Sequence, residues 1–189
     1  MRTGLRGVVM FAVGVWAIPM AAEDCPEANV LTRMESAMES VQEVSPLDFS
    51  SITSAGAQAS KERSKIKVCL SNGDFSISEM SNDYVLPLTE TSQFIAVVTF
   101  TNAKEPVIEG AYSAESGYGK PFWAFAEIRV KVGEKGATVS LGVARGTATI
   151  TFLGEDRICG RFDLRTSDDA GFPGAIAGEF SCPLETSRW

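Results

Sequence analysis

The chain has 189 residues, 44% of them hydrophobic and 22% charged, with 17 basic side chains against 24 acidic ones, a net charge of −7 and a mean hydropathy of +0.05. That composition excludes an intrinsically disordered chain and, with 17 Gly and 8 Pro, a collagen-like one; the length suits one domain with a sizeable core. His is absent, which removes the commonest general base, the commonest metal ligand and every Ser–His or Cys–His catalytic pair.

The first 22 residues have the parts of a secretory signal peptide: Arg2 and Arg6, an uncharged run over 7–22, then the small Ala21 and Ala22 before Glu23 and Asp24. The apolar core falls short of the ~20 residues that span a bilayer, so a leader cleaved after Ala22 is expected rather than an anchor. The mature chain is then a soluble secreted or periplasmic protein without integral membrane association. Losing Arg2 and Arg6 leaves 15 basic residues against 24 acidic ones, a net charge of −9. Such a surface repels phosphate backbones, so nucleic acid is not an expected partner.

Residues 23–64 read as an N-terminal helix and a Ser/Ala-rich linker. Val30, Leu31, Met34, Ala37, Met38, Val41 and Val44 fall at helical spacing over 26–44, Asp24 and Glu27 suit a capping box, and Pro46 ends the segment. Residues 50–60 are small and polar without a sustained period. Lys61, Arg63, Lys65 and Lys67 form a basic run, readable as an anion-binding patch or, more simply, as a solvated strand edge.

From 65 to 189 the period becomes two. Ile66, Val68 and Leu70 alternate with polar residues; Asn72-Gly73 makes a turn from which Phe75 and Ile77 continue a hairpin. Residues 93–101 are apolar on both faces, as in a central strand, and 107–112 and 122–132 follow as strands. Residues 138–143 and 147–153 suggest a hairpin across Ala144-Arg145-Gly146, and 158–164 with 175–182 another around Asp168-Asp169. The expected fold is mainly β: an antiparallel sandwich or barrel of about eight or nine strands, with the N-terminal helix packed on it.

Cys25, Cys69, Cys159 and Cys182 all follow the leader, and an even count in an exported chain reads as two disulfides. The last hairpin favours Cys159–Cys182, leaving Cys25–Cys69. Strand parity objects, because Cys159 falls on the polar face of its strand and Cys182 on the apolar face of the next. A bulge at Gly160 would repair this; otherwise Cys69–Cys159 and Cys25–Cys182 become attractive.

Chemistry-bearing motifs are few. Ser64-x-x-Lys67 is a two-residue coincidence, and Asp168-Asp169 is ordinary turn chemistry rather than a calcium site, so no catalytic residue, metal or cofactor is expected. The most informative segment is 115–131. There Phe122, Ala124, Ala126, Ile128 and Val130 form a core face, and Trp123, Phe125, Glu127, Arg129 and Lys131 the opposite one, with Tyr112 and Tyr118 able to extend it. Aromatic rings beside charges suit a glycan or a protein ligand. The plainer alternative is that Trp123 and Phe125 lie beneath the helix, whose apolar stripe must be buried against something. Two functions follow: a non-catalytic binding module (inhibitor, adhesion accessory or ligand carrier), or a carbohydrate-active hydrolase pairing Glu127 with Glu179 or Asp163.

Overall fold

The computed structural model describes residues 25–36, 52–75, 93–116, 121–132, 135–141, 143–166 and 174–187. These residues form ten strands and one 3₁₀ turn, Ala114–Ser116. The strands are β1 (Val30–Ser36), β2 (Ser54–Ala59), β3 (Lys65–Ser71), β4 (Phe94–Thr101), β5 (Gly110–Ser113), β6 (Trp123–Val132), β7 (Lys135–Leu141), β8 (Val143–Leu153), β9 (Arg157–Thr166) and β10 (Gly174–Thr186). All belong to one mixed sheet. Its pairings run β10-β2-β3-β4-β6-β5-β8-β9 and return to β10, with β1 on β10 and β7 on β6.

Alternation explains most strands. Ile158, Phe162 and Leu164 of β9 and Ile176, Phe180, Cys182 and Leu184 of β10 face one interior. Ile66, Val68 and Leu70 of β3, Phe94, Ala96, Val98 and Phe100 of β4, and Ala124, Ala126 and Ile128 of β6 face the same interior. Phe100 meets Tyr112 edge-on at 5.2 Å and Phe180 at 5.9 Å. Since β2 and β3 stand between β4 and β10 in the sheet, that last contact requires the sheet to curl back over its own apolar face. Each large side chain fully buried there contributes ~1.5–3 kcal/mol. β4 is buried on both faces, in keeping with its apolar sequence: Ile95, Val97 and Thr99 are as inaccessible as the core residues between them.

Several expectations are corrected. The helix over 26–44 is not formed in its described part, where Val30–Ser36 is a strand on β10; residues 37–44 lie outside the described residues. A register shift between Leu31 and Arg33 breaks the two-residue alternation and leaves apolar residues at helix-like spacing. The linker contains β2, whose Ala57 and Ala59 are fully buried. β2 runs parallel to β10, and a single pair joins β5 and β6 in parallel, so the sheet is not wholly antiparallel. The hairpin across 144–146 is absent: β7 pairs with β6, and β8 pairs with β5 and β9 and contains those residues. Of the basic run, Lys65 and Lys67 lie on β3, an inner strand between β2 and β4 rather than an edge, and Lys61 and Arg63 lie in the turn before it. The hairpin continuing from Phe75 and the turn at Asp168-Asp169 lie outside the described residues.

The disulfide is Cys25–Cys159, with Cα atoms 5.5 Å apart, a pairing that the sequence did not suggest. The β9–β10 register is continuous, setting Cys159 against Ser181 and Cys182 against Ile158, so the two cysteines stand on opposite faces and Cys159–Cys182 cannot close. The bulge lies on β8, between Ile150 and Phe152, rather than at Gly160 of β9. Asn29 Oδ1 accepts the Ser181 N–H at 2.8 Å, guiding the segment before β1 past Ser181 and bringing Cys25 to Cys159. The second disulfide expected from the even count is not formed: Cys69 and Cys182 are buried thiols.

Candidate functional site

On β6, Trp123 and Phe125 are two residues apart and share the outer face of the sheet, their rings 4.9 Å apart and inclined by 32°. Both are half-buried, so neither is fully covered. The indole is held from behind: Trp123 Nε1–H donates to the Ala114 carbonyl at 3.2 Å, and Ser113 of β5 pairs with the Trp123 backbone.

Register supplies the neighbours. Lys65 of β3, Thr101 of β4 and Trp123 of β6 lie in one row across the sheet, and Lys67, Thr99 and Phe125 in the next. A groove of about 440 Å³ opens here, lined by Ser64, Lys65, Thr101, Asn102, Ala103, Trp123 and Phe125. Its polar wall is braced by the chain on either side. Ser60 N–H donates to the Lys65 carbonyl at 2.8 Å, Asn102 N–H to the Ser64 carbonyl at 2.9 Å and Val107 N–H to the Arg63 carbonyl at 2.7 Å. The buried Asn102 accepts the Lys104 N–H at 3.3 Å and donates to the Pro106 carbonyl at 3.4 Å, so its amide stiffens the turn. A ligand here would meet two aromatic rings, an ammonium and a pair of hydroxyls.

The other expected site residues separate. Tyr112 is wholly inside: its hydroxyl donates to the Ile108 carbonyl at 2.8 Å and accepts the Ile108 N–H at 2.9 Å, and burial raises its pKa. It cannot join the groove. Phe122, expected in the core, is 37% exposed with φ of 55°, in the left-handed region a bulky side chain rarely adopts, and its ring packs edge-on against Tyr112 at 5.5 Å. Glu127 is half-buried one row beyond Phe125, paired with Val97, and Arg129 pairs in register with Ile95. Tyr118 lies outside the described residues.

Sequence reasoning found the aromatic pair but not the wall of Ser64, Thr101, Asn102 and Ala103 opposite. Parity did assign Lys65 and Lys67 to the polar face of their strand, the one signal that could have linked them to Trp123.

A second outer concavity, about 360 Å³, involves Thr32, Thr147, Thr149, Arg161, Asp163 and Glu179 among its lining. Arg33 reaches across Ala177 of β10 to pair with Asp163, whose other oxygen is 3.9 Å from Arg165. Asp163 and Glu179 line this concavity, and Glu127 does not. In the order of pairings β5 and β8 stand between β6, which carries Glu127, and β9, which carries Asp163, and Glu179 lies one strand further on, on β10.

Among the described residues no group of three or more Cys, Asp and Glu side chains could hold a metal ion, and no helix is long and apolar enough to cross a membrane. Comparison of the chain with protein-family models, with curated proteins and with solved structures finds no match.

Proposed function

We propose that this is an exported, non-catalytic binding protein with a closed β-barrel body, and that its ligand sits in the groove beside Trp123 and Phe125. One observation carries the reading: a braced, half-buried indole–phenyl pair opens on about 440 Å³ with a polar wall facing it. That volume falls within the range of small-ligand pockets, and the mix of rings with a few polar groups is what such pockets use. Among inhibitor, adhesion accessory and ligand carrier, it favours a carrier of a small ligand or of one unit of a larger glycan or peptide.

Export is supported by the leader-like first 22 residues and by a disulfide, which suits an oxidising compartment. The barrel reading rests on the circuit of pairings returning to β10. Screening the secreted protein and its Trp123→Ala variant against arrays of polysaccharides and envelope proteins tests the site. Wild type should retain ligands that the variant loses, and equal binding by both would dismiss the groove. After leader removal only Trp123 and Trp189 remain of the three tryptophans, so fluorescence of a Trp189→Phe background reports on Trp123 alone.

A further inference from the structure

Resting on that reading of the groove, we propose that its ligand is an acidic saccharide: a carboxylated pyranose lying against Trp123 and Phe125 with its carboxylate on the Lys65 ammonium. Lys65 is the one charged side chain among the described residues lining the groove, and among the described residues no carboxylate pairs with it. The chain as a whole has more acidic than basic side chains, and a lysine in no ion pair next to aromatic rings is an arrangement an anionic ligand completes.

The spacing suits one sugar unit. Lys65 and Trp123 stand two strands apart in the same row, about 10 Å between backbones, with Thr101 between them. A pyranose presents an apolar C–H face to a ring and hydroxyls at its edge, matching the indole–phenyl pair beneath and the Ser64 and Thr101 hydroxyls beside it. The Lys65 backbone is fixed at both ends: its N–H donates to Ser60 Oγ at 3.2 Å, and its carbonyl accepts the Ser60 N–H at 2.8 Å. A nucleotide would also offer a flat ring and an anion, but its phosphates carry more charge than one lysine balances. A uronate carries one charge, which Lys65 alone neutralises.

Calorimetric titration of the mature protein with the methyl glycoside of galacturonic acid, which carries a single carboxylate, with its uncharged methyl ester and with ADP tests the assignment, using wild type, Lys65→Gln and Trp123→Ala, each checked for native circular dichroism. Wild type should bind the uronate about tenfold more tightly than the uncharged ester. Lys65→Gln should lose that discrimination while keeping ester binding, and Trp123→Ala should lose both saccharides. Equal wild-type affinity for uronate and ester, or discrimination unchanged in Lys65→Gln, overturns the acidic-sugar assignment and leaves the groove standing if Trp123→Ala still abolishes binding. Tighter binding of ADP, or no binding of either saccharide, also overturns it. Saccharide binding indifferent to Trp123→Ala removes the groove reading itself.

Discussion

At the scale of single residues, side-chain volume decides as much as polarity. Gly160 occupies an inward position of β9, where a Cβ would run into the Thr149 carbonyl oxygen and the ring of Phe180. The missing side chain gives Phe180 room to reach Phe100 and lets β8 close its bulge opposite. Gly160→Ala should therefore destabilise the protein by about 3 kcal/mol, read as a lower urea midpoint with an unchanged slope. An unaltered midpoint would mean that the bulge absorbs a methyl group. Phe122 makes the same point from the other side. Alternation assigns it to the core, yet its left-handed backbone turns it outward just before β6 begins, and no periodicity encodes a sign of φ.

At the scale of elements, legibility follows whether a strand alternates undisturbed. β3, β4, β6, β9 and β10 are readable because one face of each meets the interior at every second residue. β1 misleads because its register shift converts alternation into helix-like spacing, and β2 because its buried residues are Ala57 and Ala59, too small to stand out from a linker. The disulfide was hidden by the first of these. Cys25 reaches Cys159 because β1 lies along β10, an arrangement hidden by reading 26–44 as helix. The bond closes a sequence separation of 134 residues, for which the chain-entropy account gives about 5 kcal/mol. Cys25→Ser should lower stability by up to that amount, and a non-reducing peptide map of wild type should join the peptides containing Cys25 and Cys159. Finding Cys159 joined to Cys182 would contradict the β9–β10 register.

At the scale of the whole molecule, enclosure sets the behaviour of buried groups. Burial pushes the Cys182 thiol from its ordinary 9.0 up to about 12, the nearby Cys69 adding to the rise and Arg157 opposing it. A group that holds its proton more tightly when folded stabilises fully below its unfolded pKa and loses that contribution as pH rises through the folded one. Folding stability should fall from about pH 9 towards pH 12, with burial of Tyr112 acting in the same direction from its own ordinary 10.0 upward. Cys182→Ala should flatten the Cys182 part of that fall in urea titrations at pH 8, 9.5 and 11; an unchanged slope would show that the thiol is not sealed. The same enclosure separates the site residues, sending Tyr112 inward while leaving Trp123 and Phe125 half-open beside Lys65.

Sequence alone determined the β-rich class, the polar and apolar faces of the regular strands, the aromatic pair at 123 and 125 and the parity conflict at Cys159 and Cys182. Each of these is local, written in residues two or three apart. The partner of Cys159, the return of the pairings to β10 and the meeting of Lys65 with Trp123 were decided only in the tertiary structure. They depend on register between strands distant along the chain, which is set by how the apolar faces close on one interior rather than by any neighbouring residue.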